Sequence, residues 1–240
     1  NFRLAPPEHQ AILEHSGAMW LLAEPDFFAH GETLRAALPG LTLVSLEGAR
    51  AGWLAWTEVC AEASSARASV RTLVRGPVGP AGSPAESPAL LVYTSGTTGR
   101  PKGALHTQSG LVWNAINSTH YHDLTGSDHV LTVLPMFHVG GLCIQTLPAL
   151  HAGATLTLHP RFDPGAWLAD VVARRPTLTL LVPAVMRALI DHPAWKQTDL
   201  SSLRMAAAGS PTIPDSLTAA FHEHGLTFFN DTATTETGPV

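Results

Sequence analysis

Hydrophobic positions along this chain follow two alternating periods. Short aliphatic and β-branched runs at 18–23, 41–46, 89–93, 130–134, 154–159, 177–182, 203–208 and 226–229 are bounded by Gly, Pro and polar residues, and they read as strands. Helical spacing appears between several of them. Segment 7–15 sets Ile12 and Leu13 on one face and stops at Gly17, a residue suited to the left-handed conformation that closes a helix. Trp167, Leu168, Val171 and Val172 form an apolar stripe that Pro176 ends. Segments 183–192 and 214–224 each open on proline, which suits a first helical turn, and Gly225 follows the second.

Strand–helix alternation of this kind predicts an α/β fold of largely parallel sheets flanked by helices. The near-continuous apolar run at 178–182 predicts a strand covered on both faces. Sheets of that type bind ligands in the loops at the carboxyl ends of their strands. One stretch breaks the alternation. Gly76–Pro88 is rich in Gly, Pro and Ser, which predicts a linker between a first part, 1–75, and a second part, 89–240.

Composition narrows the function classes. Hydrophobic residues make up 45% of the 240 and charged residues 14%, enough apolar material for a buried core. The net charge of −5 and the lack of any Lys/Arg cluster argue against a nucleic-acid partner, which demands concentrated positive charge. Cys60 and Cys143 do not make a disulfide framework, so a reducing, cytoplasmic setting is expected. No apolar run approaches the length of a membrane span, and the first residues lack the features of a signal peptide. The paired histidines His120/His122 and His222/His224 have no acidic or cysteine partner at ligand spacing, and they read as solvated faces.

The chemistry concentrates in one loop. Directly after the strand at 89–93 come Thr94, Ser95, Gly96, Thr97, Thr98, Gly99, Arg100, Pro101, Lys102 and Gly103. Glycines let backbone N–H groups approach an anion, hydroxyls donate to phosphate oxygens, and Lys102 adds positive charge. A polyphosphate is the ligand this pattern suits. It is not the Walker loop, since Pro101 precedes the lysine and Gly103 follows it.

This loop closely resembles the signature of the adenylate-forming superfamily: acyl-CoA synthetases, luciferase-like enzymes and the adenylation domains of peptide synthetases. Further motifs follow in the family's order. Leu134-Pro135-Met136-Phe137-His138-Val139-Gly140-Gly141 resembles its L-P-x-F-H-x-x-G segment, Ala206–Pro211 its small-residue stretch beside the nucleotide, and Thr235-Glu236 its Thr-Glu pair. The opening residues, Asn1 to Leu4 with Glu8, Ile12 and Leu13, are similar to the segment upstream of the loop.

The resemblance implies ATP, Mg²⁺ and coenzyme A, with a small carboxylic acid as substrate. A carboxylate attacks the α-phosphate and releases pyrophosphate, and a thiol then takes the acyl group. By the same resemblance, Thr94 to Gly99 and Lys102 hold the β- and γ-phosphates, Thr235 bonds the α-phosphate and Glu236 binds Mg²⁺. His138 places the substrate carboxylate. Gly209, Ser210, Pro211, Asn230, Asp231, Thr232 and Ala233 line the nucleotide. Lys102, His138, Thr235 and Glu236 are thus the expected catalytic set.

Two departures qualify these roles. Where the family places an aromatic residue and glycine before its Thr-Glu pair, this chain has Thr232-Ala233-Thr234. Stacking of a base on an aromatic ring is worth about 1–3 kcal/mol, so weaker ATP affinity is expected. The family's ribose-binding Asp and its mobile C-terminal lid with the catalytic Lys lie beyond Val240. The 240 residues are therefore expected to be an incomplete N-terminal domain that does not complete thioester formation.

The leading expectation is an AMP-forming acyl-CoA synthetase acting on a carboxylic acid, fatty acids first. The apolar stretch 139–150 suits an acyl pocket, and no acidic residue lies between Phe137 and His159 to meet a substrate amine. An aryl acid stays open. So do a peptide-synthetase-type adenylation domain that loads a carrier protein and a non-catalytic ATP-binding module. Oligomeric state is not readable from these residues.

Overall fold

The computed structural model describes residues 1–65, 84–94, 101–209, 212–231 and 234–236. Among these the chain divides into two compact units, one formed by residues up to Pro84 with Pro101–Gly103, the other by Ala85–Thr94 and Ala104 onward. Of the expected linker, 76–83 lies outside the described residues. Its last residue, Pro88, is instead the first of a strand. Ala85 and Ser87 accept backbone hydrogen bonds from Ser109 and Gln108, so they are held rather than free.

The first unit begins with α1 (Pro6–Ser16), which ends as expected on left-handed Gly17, φ 67°. A three-stranded parallel sheet follows, from β1 (Trp20–Ala23), β2 (Thr42–Ser45) and β3 (Leu54–Ala55) in that order. Between β1 and β2 lies α2 (Phe28–Ala37), and α3 (Trp56–Ser65) follows β3. Neither helix was legible as a stripe. In α2 the buried residues are Gly31 and Leu34, and Gly31 lies so close to Trp53 that an added Cβ would meet its ring at 2.6 Å. Tertiary packing, not local periodicity, selects that helix.

The second unit contains β4 (Pro88–Thr94) and, from Ala104 onward, β5 (Lys102–Thr107), which are hydrogen-bonded as a separate two-stranded sheet. Thr107 caps α4 (Gln108–Tyr121) by accepting from the Gly110 N–H at 3.1 Å. The main sheet has five parallel strands: β6 (His129–Thr132), β7 (Thr155–Leu158), β8 (Leu178–Leu181), β9 (Met205–Gly209) and β10 (Phe228–Asp231). Their spatial order is β10-β9-β8-β6-β7. All eight expected strands form, each within a few residues of its expected limits.

Between β6 and β7 a helical run comprises α5 (Val139–Gly141), a π-helical turn (Leu142–Thr146) and α6 (Leu147–Ala152). The other connections contain α7 (Pro164–Arg174), α8 (Pro183–Ile190) and α9 (Asp215–His222). Pro183 occupies the first turn of its helix as expected, whereas Pro214 is the N-cap residue of α9. In α7, Asp163 caps the Ala166 N–H at 2.7 Å, and Trp167, Leu168 and Val171 are buried. Val172, expected on the same stripe, is exposed.

Strand order explains the layering. The chain steps from β6 to β7 in one direction, then from β8 to β9 and β10 in the other. Because β–α–β crossovers keep one hand, the reversal puts the helices of the two arms on opposite faces. Residues of α7, α8 and α9 join Leu131, Val133, Leu181 and Ala208 in the largest core. The opposite strand face, with Val130, Leu178, Leu180 and Ala207, packs against Ile144 of the π-helical turn and Ala149 of α6. As a result β8 is buried along its whole length, as its apolar run predicts.

Candidate active site at the carboxyl edge of the five-stranded sheet

The reversal of direction between β6 and β8 creates a switch point, and loops leaving the carboxyl ends of parallel strands there diverge to leave a crevice. The loop from β6 runs through Pro135 to His138. It is shaped by Gly141, where an added Cβ would lie 2.3 Å from the Pro135 carbonyl and 2.7 Å from that of Leu134. No side chain fits in that space. Thr146 closes the fold-back by donating to the Gly141 carbonyl at 2.6 Å, with the Met136 thioether at 3.7 Å.

His138 is the N-cap of α5 and is exposed. Its Nδ1 accepts from the Gly140 N–H at 3.1 Å, which leaves the proton on Nε2. The ring is thus oriented by its own helix and presents a donor outward. A donor held in this way is able to bond an anionic oxygen.

Two other expected elements reach the same edge. Gly209 ends β9 and is paired in register with Asp231 at the end of β10, with Asn230 opposite Ala208. A Cβ built on Gly209 meets no heavy atom of the described residues within 4 Å. Asn230 is exposed, and beyond β10 Thr235 is partly buried and Glu236 exposed. The sheet therefore brings the loops bearing His138, Gly209, Asn230, Asp231, Thr235 and Glu236 to one edge. Thr94 ends β4, partly buried, and exposed Lys102 opens β5. Ser95, Gly96, Thr97, Thr98, Gly99, Ser210, Pro211, Thr232 and Ala233 lie outside the described residues.

No three His, Cys, Asp or Glu side chains converge on a common point among the described residues. A site made wholly of protein ligands is not what these residues offer. An exposed carboxylate such as Glu236 suits Mg²⁺, which retains water and completes its shell with phosphate oxygens.

The expected acyl-pocket stretch is a helical run whose residues Cys143 to Thr146 are buried. Burial raises the Cys143 thiol to about 11, which makes it inert as a nucleophile. Of the histidine pairs, His120 and His222 are exposed, but His122 is buried and hydrogen-bonded to Ser118 at 3.0 Å, so the expected solvated face is incorrect there. His224 packs edge-on to Trp195, with ring centroids 4.6 Å apart.

The sequence pattern of AMP-binding enzymes matches residues 1–240. This chain belongs to the AMP-binding enzyme family. It is 43% identical over 241 residues to an indoleacetate–CoA ligase of Aromatoleum aromaticum, covering 100% of this chain and 45% of that protein. It is 37% identical over 239 residues to a feruloyl-CoA synthase of an Amycolatopsis species, covering 100% of this chain and 44% of that one. The crystal structure of the anthranilate CoA ligase AuaEII in complex with anthranoyl-AMP is similar at a TM-score of 0.84 and 26% identity, over 98% of this chain and 45% of that chain. The AMP-binding chain thus spans less than half the length of these relatives. Among its described residues no helix is long and apolar enough to cross a membrane.

Sequence reasoning missed Gly141 and Thr146 as shapers of the site, although Gly141 stood within a quoted motif. Its signal was a glycine inside a helical run, where only close backbone approach justifies the loss of a side chain.

Proposed function

We propose that this chain is the acid-activating part of an AMP-forming acid–thiol ligase, using Mg·ATP to make an acyl-adenylate that the whole protein passes to coenzyme A. The observation that supports it most is His138 at the switch point, with its Nε2 proton directed outward, on the same sheet edge as Gly209 and the residues after β10. Pyrophosphate leaves from a centre where negative charge accumulates on phosphate oxygens, so stabilisation by fixed donors and positive charge is the main demand. Lys102 and the hydroxyls from Thr94 to Thr98 meet that demand, Thr235 would bond the α-phosphate, and Glu236 would hold Mg²⁺, which would supply further positive charge there. His138 orients the carboxylate for in-line attack. Gly209, Ser210, Pro211, Asn230, Asp231, Thr232 and Ala233 border the nucleotide.

The acid we propose is an aryl or arylalkyl carboxylic acid. Relatives named for indoleacetate and ferulate align with the whole chain, and a similar structure is named for anthranilate. This moves the substrate away from the fatty acids expected from the apolar stretch 139–150, which the fold uses partly as core.

Carboxylate-dependent ATP–pyrophosphate exchange tests the proposal, run on the full-length natural protein with aryl, arylalkyl, fatty and amino acids. Exchange is expected with aryl acids and should fall at least roughly 100-fold in Lys102→Ala and in Glu236→Ala. Exchange confined to fatty acids would overturn the substrate assignment. Exchange indifferent to both substitutions would overturn the assigned roles.

A further inference from the structure

Two histidines join the first two helices of the first unit. His9 of α1 and His30 of α2 face each other with Nδ1 and Nε2 2.8 Å apart, and their rings meet edge-on with centroids 4.9 Å apart. The other nitrogen of His9, Nε2, lies 3.0 Å from the Asn1 carbonyl. A carbonyl oxygen only accepts, so His9 carries its proton on Nε2 and offers a lone pair at Nδ1, to which the His30 Nε2–H donates. Both rings are neutral in that arrangement. One further proton is tolerated, because the remaining neutral imidazole still supplies a lone pair. With both rings charged, two N–H groups and two like charges confront each other, and no tautomer restores the bond.

The pair sits where a change in docking has consequences. No residue of α1 is fully buried, which places the helix among the weakly held parts of a fold. Ile12 and Leu13 of α1, Leu21 of β1 and Leu34 of α2 line, together with both histidines, a cavity of about 390 Å³. Helix α1 is therefore one wall of a largely apolar space. Partial burial and then the His30 charge hold His9 below the ordinary imidazole range, with the amino group of Asn1 acting in the same direction. They outweigh the Asn1 carbonyl and Glu8, which favour the charged ring. Glu24, between β1 and α2, lines the same cavity and is exposed. A depressed folded pKa means that the freed helix takes up the proton first as pH falls. Docking is thus fully stabilised above the ordinary histidine value of about 6.5 and weakened progressively below it.

We propose that His9 and His30 form an acid-sensitive latch between α1 and α2: when both rings are protonated the hydrogen bond between them is lost, α1 lifts, and the apolar cavity behind it opens. The latch is independent of the activity proposed above, since neither ring belongs to the residues assigned to it.

The test compares wild type, His9→Gln and His30→Gln in the full-length natural protein. A glutamine amide can donate and accept at either position without titrating, so each variant keeps a bond and loses the switch. Amide hydrogen exchange in α1, corrected for the intrinsic effect of pH, is followed from about pH 7.5 to about pH 5, with α7 as internal reference. Wild-type α1 should lose protection at least roughly 10-fold over that range while α7 does not, and binding of the apolar dye ANS should rise in parallel. Both glutamine variants should hold α1 protected and dye binding low throughout. Protection of α1 that is unchanged in wild type, or lost equally in the two variants, would overturn the latch. Should either variant leave α1 unprotected even at neutral pH, the histidine ring signals of wild type decide by NMR. Two separate titration steps with protection lost on the lower one support the latch, and one common midpoint overturns it.

Discussion

Gly141 illustrates how a single backbone position controls the site. The loop after β6 folds back so closely that the Pro135 carbonyl occupies the space of a side chain at 141. In Gly141→Ala the carbonyl must move, and with it the turn in which the His138 N–H bonds the Pro135 oxygen at 3.1 Å. Overpacking of this kind costs about 1–3 kcal/mol, so a lower midpoint in urea denaturation is expected, together with loss of acid activation. The same substitution at Gly209 meets no heavy atom of the described residues within 4 Å and should leave the midpoint nearly unchanged. At this scale the family's loop of glycines, hydroxyls and Lys102 stood out in the sequence because its residue types crowd into a short stretch. The oriented tautomer of His138 did not, since it depends on where the Gly140 N–H lies.

Parallel strands join through their amino ends as well as their sides, and here one carboxylate ties several together. Asp128, just before β6, accepts from the Arg204 guanidinium at 3.0 Å, the Thr177 hydroxyl at 2.7 Å and the Thr125 N–H at 2.8 Å. Burial by itself would raise its pKa, but hydrogen bonds from Arg204, Thr177 and Thr125 outweigh it and hold the carboxyl at about 2. A depressed folded pKa means the unfolded chain takes up the proton first as pH falls. The stabilisation is therefore complete above the ordinary Asp value of about 4 and lost as pH falls towards 2. Asp128→Asn should lower stability at neutral pH by about 1–3 kcal/mol and flatten the acid limb of stability against pH between about 4 and 2. Chemical denaturation across that range is the measurement. This clamp was invisible in the sequence because Asp128, Thr177 and Arg204 are separated by 49 and 76 positions. Helix α4 was equally hidden, since its inward face is polar: Asn114 and Ser118 bond carbonyls of a helix made later in the chain.

For the whole molecule, binding and stability are linked: a ligand that binds the folded form alone raises the melting temperature by mass action. At Mg·ATP about 100-fold above its dissociation constant the gain is about 2.7 kcal/mol, equivalent to roughly 5–10 °C for a chain of this size. We expect such a rise in calorimetry, reduced when EDTA replaces Mg²⁺, and a shift insensitive to EDTA in Glu236→Ala. A rise equally large without the metal in the wild type would remove Glu236 from its assigned role. The sequence alone determined the alternation of strands and helices, the positions of all eight strands it named, and the order of the motifs. Those depend on local period, turn residues and short-range chemistry, which a linear reading contains. Tertiary structure alone decided that β6 and β8 form the switch point, that Val172 faces solvent, that His122 is buried, and that Gln145 is buried in the turn after His138. Each of those depends on which distant strands become neighbours, and strand order is set by the packing of both sheet faces at once.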